Sequence, residues 1–146
     1  MGLSKHIAIV VAAFHHQHTE TMLEIAALTA SNLGLTIAET VRVPGSIETP
    51  LALRRVLAKQ SIDGAIVLGV IEKGQTSHGL VIGSAVMNAI LDLQINMNKP
   101  IGAGILGPEI NYDQIEERLR PYAKHAVEAV NDMLKLKDDP SNFIRK

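Results

Sequence analysis

Four apolar runs of strand length alternate with helical patterns along this chain. His6 to Phe14 and Asp63 to Ile71 are almost continuously apolar, which is typical of strands buried on both faces of a parallel sheet. Leu35 to Val43 alternates apolar and polar residues, so it is expected nearer an edge of the sheet. A fourth strand is predicted from Pro100 to Leu106.

Each strand is followed by a helical pattern. The predicted helices run from Thr19 to Gly34, from Ser46 to Lys59, from Thr76 or Ser77 to Met97, and from Asn111 to Lys137. Thr21 and Glu24 have the spacing of a capping box, and Pro121 is expected to interrupt the last helix. This alternation predicts an α/β fold, a three-layer α/β/α sandwich with a four-stranded parallel sheet of the flavodoxin-like type.

The third predicted helix is apolar on every side. Asp92 is the only charged residue between Leu80 and Met97. A helix of this kind must be buried all round, yet a four-stranded sheet covers only one of its faces. We therefore expect a second copy of the chain to cover the rest, which makes the protein an obligate homo-oligomer. The alternative is a small exposed patch of alanine, serine and asparagine.

Length and composition narrow the class of protein. The 146 residues predict one domain over 1–137, followed by a charged tail, 138–146, that is expected to fray. The absence of cysteine excludes disulfides and thiol chemistry, and a net charge of −1 gives no reason to expect nucleic acid or an anionic membrane as a partner. The sequence has no signal segment and no apolar run long enough to span a membrane, so a cytoplasmic protein is expected.

A carboxylate follows the second predicted strand. Glu48 lies in the first turn of a helix, where the helix dipole favours a negative charge, and this can be its whole role. Gly45 and Ser46 leave backbone groups unpaired at the same strand end, and open α/β sheets bind ligands at such strand ends. Together with Glu48 they could bind a chain of hydroxyl groups.

A polar turn follows the third predicted strand. Gly74, Gln75 and Thr76 precede a helix, so that successive backbone N–H groups can point at one anion. A plain helix cap explains the same spacing equally well. His78, in the first helical turn, is a candidate base or proton shuttle.

Other polar and aromatic residues are weaker candidates. His15, His16 and His18 cluster after the first strand, but their spacing lacks the pattern of a metal site, and no metal is expected. Phe14 belongs either to the core or to a stacking surface for a planar ligand. Arg118 and Lys124 lie on the last helix and contribute only if they reach the anion-binding turn, including that of a neighbouring subunit.

Three features in this order are specific to one family. Phe14 ends the first strand, VPGSIETP (43–50) follows the second, and GVIEKGQTSH (69–78) follows the third. Together they resemble the 6,7-dimethyl-8-ribityllumazine synthase family, over about His6 to Leu134. The resemblance implies the penultimate step of riboflavin biosynthesis, in which 5-amino-6-(D-ribitylamino)uracil and 3,4-dihydroxy-2-butanone 4-phosphate condense with release of phosphate and water. It also implies that no metal or organic cofactor is needed.

The resemblance also implies roles for individual residues. Phe14 stacks on the pyrimidine, and the ribityl chain and the ring are held by Ser46, Ile47, Glu48, Val70 and Ile71. The phosphate is bound by Gly74, Gln75, Thr76 and, from the adjacent subunit, Arg118. His78 moves protons, Ala103 stands where many members place an aromatic ring over the substrate, and Lys124 is a further substrate-binding candidate.

The family assembles as homopentamers, in some members as a 60-subunit shell, with each active site between neighbouring subunits. This chain departs from the usual pattern at His15, where asparagine is common, and at Gln75, Gly79 and Ala103. Two other functions compete with the synthase. One is the related pentameric riboflavin synthase, whose substrate has no phosphate for the anion-binding turn. The other is a non-catalytic oligomer that binds flavin or lumazine.

Overall fold

Four parallel strands form one sheet in the computed structural model, which describes residues 3–142. They are β1 (His6–Ala12), β2 (Thr36–Val43), β3 (Gly64–Glu72) and β4 (Ile101–Ile110), in the spatial order β2-β1-β3-β4. The order reverses between β1 and β3, and the carboxyl ends of strands at such a point form a crevice suited to ligands.

The helices cover both faces of the sheet. They are α1 (His16–Asn32), α2 (Thr49–Leu57), α3 (His78–Met97) and α4 (Tyr112–Asp138), with 3₁₀ turns at Ser46–Glu48 and Pro140–Asn142. α1 and α4 pack on one face, while α2 and α3 pack on the other, and each face has its own apolar core. The predicted three-layer α/β/α sandwich is confirmed.

The strand patterns account for this order. β1 and β3 lie in the middle of the sheet, where side chains such as Ile9 and Ile66 are fully buried. β2 lies at an edge, and along it exposed residues alternate with partly buried ones, as its sequence predicts. The 3₁₀ turn replaces the first turn of the second predicted helix, so that Pro50 falls at the start of α2.

The predicted capping box at the start of α1 is wrong. The helix begins earlier, at His16, because the chain turns sharply at His15, whose φ of 57° is left-handed. Thr21 therefore lies inside the helix, and its hydroxyl donates to the Gln17 carbonyl at 3.0 Å. A capping box occurs instead in α4, where Asn111 and Gln114 bond reciprocally.

Two predicted ends in the second half of the chain are also wrong. α4 continues through Pro121. Proline has no backbone N–H, so the Glu117 carbonyl lacks its helical partner, but Pro121 is exposed and solvent can bond to that carbonyl instead. β4 continues past Leu106 because, after a register shift, Ile110 pairs with Glu72. The tail predicted to fray begins with the last residue of α4, and residues 143–146 lie outside the described part of the chain.

α3 presents an apolar surface to solvent. Only Gly83, Val86 and Ile90 of this helix are buried, whereas Val81 and Ile95 are 65% and 76% exposed. Among residues 3–142 it is the one helix long and apolar enough to cross a membrane, with a mean hydropathy of 1.4. The expectation that no apolar stretch reaches this length is therefore wrong. The same length and composition also suit a helix covered by another protein surface.

Candidate active site

A cavity of about 680 Å³ opens at the carboxyl ends of β1, β2 and β3, where the strand order reverses. Its lining joins residues that are far apart in the sequence: Phe14, His15, Gly45, Ser46, Ile47, Glu48, Val70, Ile71, Glu72, Gly74, Thr76, His78, Gly79 and Ile82. Both polar turns predicted from the sequence therefore face one cavity, with apolar strand ends between them.

Phe14 forms one wall of the cavity and is 68% exposed. Its ring lies against the backbone of Gly45, so that a Cβ at position 45 would stand 2.8 Å from Phe14 Cε2. Glycine at position 45 is thus what lets the ring settle beside the turn after β2. The side of the ring that faces the cavity is free to stack on a planar molecule.

The turn after β2 places one carboxylate in the cavity. Glu48 is exposed, and its backbone N–H donates to the Gly45 carbonyl at 3.2 Å. Ser46 is buried, and its carbonyl accepts a bond from the Thr49 hydroxyl at 2.7 Å. The turn is therefore fixed, while the Glu48 side chain is free to accept bonds from a ligand.

The floor of the cavity is apolar. Val70 and Ile71, at the end of β3, are 4% and 9% exposed. α3 begins close above this strand end because Gly79 has no side chain. A Cβ there would stand 3.3 Å from the Glu72 carbonyl oxygen. A larger residue at position 79 would therefore need a small adjustment of the strand end or of the first turn of α3.

The turn between β3 and α3 has the features of an anion site. Within the described residues, the backbone N–H groups of 74–77 donate to no other protein group. The turn is fixed at one end by the Lys73 N–H, which donates to the Ile110 carbonyl at 2.7 Å. At the other end the His78 N–H donates to the Thr76 hydroxyl at 3.3 Å. Free N–H groups at the positive end of a 20-residue helix favour a bound anion.

Gly74 serves this turn differently from what its sequence suggests. The left-handed glycines of the described chain are Gly34 and Gly107, so Gly74 does not use the positive φ that glycine permits. No atom lies within 4 Å of the place where its Cβ would stand. What glycine provides here is open space in front of the backbone, which leaves the neighbouring N–H groups accessible to an anion.

His78 is the first residue of α3 and lines the cavity beside the anion site. Its side chain is exposed to the cavity and solvent. Since the neighbouring helix terminus carries a partial positive charge, the imidazole lies where it can exchange protons with an anionic ligand.

Four of the residues predicted for the site do not line the cavity of their own chain. Gln75 is an exposed member of the anion-binding turn, and Ala103 lies exposed in the middle of β4, paired with Val67. Arg118 and Lys124 are exposed on α4. The Arg118 guanidinium Nε lies 3.7 Å from the carboxylate of its neighbour Glu117 rather than at the anion site.

Three cavity residues were given no role in the site by the sequence reasoning: His15, Glu72 and Ile82. His15 and Glu72 lie side by side, with His15 Nε2 3.8 Å from Glu72 Oε1. Glu72 directly follows the apolar run Asp63 to Ile71 in the sequence, and this position was the signal that could have identified it.

The three clustered histidines point to three different carboxylates. His15 faces Glu72, His16 lies 3.9 Å from Glu20, and His18 lies 3.5 Å from Glu116. In the part of the chain that the structure describes, no three histidine, aspartate or glutamate side chains converge as a metal site requires.

Similarity to known proteins identifies the family to which this chain belongs. The model of the 6,7-dimethyl-8-ribityllumazine synthase family matches residues 4–138. The chain belongs to this family. It is thus related to the synthase that makes 6,7-dimethyl-8-ribityllumazine, a transferase of riboflavin biosynthesis, as the sequence predicted, and neither competing function is favoured.

Three relatives named 6,7-dimethyl-8-ribityllumazine synthase illustrate the match. That of Staphylothermus marinus is 40% identical over 128 residues, which cover 88% of this chain and 85% of the relative. That of Saccharolobus islandicus is 38% identical, with 88% and 83% covered. That of Pyrobaculum arsenaticum is 40% identical over 123 residues, with 84% and 82% covered. Among solved structures, a diflavin flavoprotein A3 from Nostoc sp. gives a TM-score of 0.45 at 8% identity, over 95% of this chain and 99% of that one.

Proposed function

We propose that this lumazine synthase family member condenses 5-amino-6-(D-ribitylamino)uracil with 3,4-dihydroxy-2-butanone 4-phosphate in the cavity at the ends of β1, β2 and β3. One observation carries the proposal. A carboxylate turn and an anion-binding turn with a histidine face the same cavity, on either side of an open aromatic ring. These are the groups needed to hold a polyol chain, a phosphate and a planar heterocycle at once. No metal or organic cofactor takes part in the proposed reaction.

The pyrimidine lies against Phe14 and over the apolar floor formed by Val70 and Ile71. Its ribityl chain runs along the turn after β2, where the Glu48 carboxylate and the backbone of Ser46 and Ile47 accept and donate hydrogen bonds. This placement is supported by the free face of Phe14 and by the exposed Glu48 side chain in the same cavity.

The butanone phosphate binds at the other turn. Its phosphate accepts bonds from the free N–H groups at Gly74, Gln75 and Thr76. The phosphate still requires a cation, and Lys73, the nearest in sequence, is engaged with Glu109 at 3.5 Å. We assign the missing positive charge to Arg118 of an adjacent copy, as the family resemblance implies. Its exposed position on α4, outside the cavity of its own chain, is compatible with this assignment.

The reaction needs proton transfers more than a strong electrophile. The 5-amino group attacks the ketone carbon, and the adduct loses its former carbonyl oxygen as water to give an imine. A proton then leaves the adjacent carbon as the carbon–oxygen bond to phosphate breaks. This leaves an enol, which takes up a proton at its terminal carbon and becomes a ketone. The ribityl-bearing nitrogen attacks that ketone, and a second water leaves as the second ring closes. His78, beside the anion site, carries the proton that is removed during phosphate departure.

Holding both substrates in one orientation supplies most of the proposed acceleration. Proton transfer by His78 adds a factor on the order of 10²–10⁴. A cation facing the departing phosphate stabilises the negative charge on it. Each contribution comes from a group that faces the cavity or that an adjacent copy can bring to it.

An oligomer completes this site. The exposed apolar face of α3 supports burial against another copy, and the assignment of Arg118 requires one. We propose a homopentamer, with the 60-subunit shell of some family members as a larger form, in which Ala103 and Lys124 meet the substrate of the adjacent subunit. The proposed partners are the two small substrates and further copies of the chain, without nucleic acid or membrane, in the cytoplasm.

The experiment is to mix the purified protein with both substrates and to follow the fluorescence of the lumazine against the uncatalysed background. The expected result is a clear acceleration that His78→Ala reduces by on the order of a hundredfold. His125→Ala is the matched control, because His125 is exposed on α4 and does not line the cavity. Binding of lumazine without acceleration would instead indicate a non-catalytic binder.

A further inference from the structure

Glu72 is a carboxylate in the wall of the cavity that the proposed reaction does not use. It ends β3, directly after the buried residues Val70 and Ile71 that form the floor. Its side chain is 36% exposed. A carboxylate beside an apolar floor loses part of its hydration, and a hydrogen-bond donor is needed to compensate for that loss.

Within the described part of the chain, no protein group supplies that donor. The nearest basic side chain to Glu72 in the described chain is that of His15, whose Nε2 lies 3.8 Å from Oε1, outside hydrogen-bond distance. No side-chain or backbone donor among residues 3–142 makes a hydrogen bond to this carboxylate. An ionised carboxylate only accepts hydrogen bonds, so its free oxygens are suited to N–H groups of a ligand.

The position of Glu72 relative to Phe14 indicates which part of a ligand it meets. The ring of Phe14 lies toward Gly45 at the end of β2, whereas His15 faces Glu72 at the end of β3. In the sheet, β1 lies between these two strands. A heterocycle stacked on Phe14 with its hydroxyl chain toward Glu48 therefore directs its far edge at Glu72.

We propose that Glu72 is a specificity-determining residue that accepts a hydrogen bond from the imide N–H of the pyrimidine ring, with His15 as the positioning residue that orients it. This inference rests on the proposed function, because it takes its ligand from there. Both substrate and product carry an N–H between two carbonyl groups on the edge opposite the fused or substituted side. A lone carboxylate recognises that N–H and rejects a ring that lacks it.

His15 is well placed for the positioning role. Its left-handed backbone is fixed at the start of α1, where its carbonyl accepts bonds from the N–H groups of His18 and Thr19 at 2.9 and 3.0 Å. The imidazole also lies near the ring of Tyr112, with 6.4 Å between the ring centroids. The His15 backbone is thus fixed, and its imidazole has Glu72 and the ring of Tyr112 as neighbours.

The test measures binding of 6,7-dimethyl-8-ribityllumazine and of its derivative methylated at the imide nitrogen, by fluorescence titration. The wild-type protein is expected to bind the methylated compound about ten- to a hundredfold more weakly, since a bond to a charged group is lost. In Glu72→Met, which keeps the length but removes the acceptor, the two ligands should bind with nearly equal affinity. Glu72→Gln should restore part of the preference, and His15→Asn, which tolerates the left-handed backbone, should weaken it without abolishing it.

Glu116→Met is the matched control, because Glu116 faces His18 outside the cavity and should leave the preference unchanged. Equal discrimination in the wild type and in Glu72→Met would overturn the role of Glu72. If the wild type still forms lumazine in that case, the proposed function survives the failure. A wild type that neither binds nor forms lumazine would overturn both.

Discussion

The ring of Phe14 lies directly against the backbone of Gly45, so close that a methyl group there would stand 2.8 Å from Phe14 Cε2. Two strand ends, β1 and β2, are thereby joined into one wall of the cavity. The relationship explains why a residue without a side chain precedes the carboxylate turn, and it makes the position of the aromatic ring testable.

Gly45→Ala is expected to displace the Phe14 ring and to raise the KM for the pyrimidine substrate by roughly tenfold, with a smaller effect on the KM for the butanone phosphate. Steady-state kinetics with each substrate varied in turn provides the measurement.

The control for this variant is the same substitution in a Phe14→Ala background. With the ring removed, Gly45→Ala should have little additional effect, because the two changes act on one contact. Additive losses would show that Gly45 acts on the site by a route other than Phe14.

Arg118→Ala is expected to raise the KM for the butanone phosphate by at least tenfold while leaving pyrimidine binding nearly unchanged, because a charge-assisted bond to phosphate is lost. Substrate-dependence curves measure both constants. Arg120→Ala, an exposed arginine on the same helix, is the control. Equal weakening of both substrates would contradict the assignment of Arg118 to phosphate.

The apolar face of α3 predicts an effect on assembly. Leu91 and Ile95, one turn apart, are both exposed in the single chain, and lysine at both positions is expected to dissociate the oligomer. Sedimentation velocity distinguishes the assembled from the dissociated form. Leu28→Lys, at an equally apolar exposed position on α1, should leave assembly intact. An unchanged oligomer in the double variant would remove α3 from the interface.

One ion pair predicts a pH dependence of stability. Arg42 donates two hydrogen bonds to the Glu20 carboxylate, at 2.8 and 3.0 Å, and these bonds lower the pKa of Glu20 below its usual value. A lowered pKa in the folded state means that the pair stabilises the fold above the unfolded-state pKa and loses this contribution as the pH falls through the folded-state value. Both residues lie at the surface, so the contribution is small.

Thermal unfolding of Glu20→Gln should therefore show a slightly lower Tm than the wild type at neutral pH. The difference should vanish at a pH well below the ordinary pKa of glutamate, which is about 4.3. Glu24→Gln, an exposed position on the same helix, should show no such difference at either pH. A difference that persists in acid would assign the effect to packing rather than to charge.

The sequence predicted the fold well because the pattern of apolar and polar residues within each strand indicates how deeply that strand is buried. The continuous apolar runs of β1 and β3 and the alternation in β2 are local signals, and they fix which strands lie inside the sheet. The ends of elements depend on longer-range contacts. The pairing of Ile110 with Glu72 extends β4 through a glycine and a proline that would ordinarily end a strand, and no local pattern encodes that pairing.

Part of the candidate site could likewise be predicted from the sequence. Glu48 and His78 became candidates because each lies where a predicted strand gives way to a predicted helix, and both line the cavity. His15 and Glu72 lie at the ends of two strands that are far apart in the sequence. Their proximity is therefore seen only in the folded chain. Arg118 lies outside the cavity of its own chain, and a contribution from it depends on a second copy.

The most direct test of the account mixes two impaired variants, at a butanone phosphate concentration far below the raised KM of Arg118→Ala. His78→Ala and Arg118→Ala are each unfolded, combined in equal amounts and refolded together, and lumazine formation is measured. If each site takes His78 from one subunit and Arg118 from its neighbour, random mixing gives about a quarter of the sites both intact residues, and about a quarter of wild-type activity should return. Activity no higher than that of the separate variants would contradict a site shared between subunits.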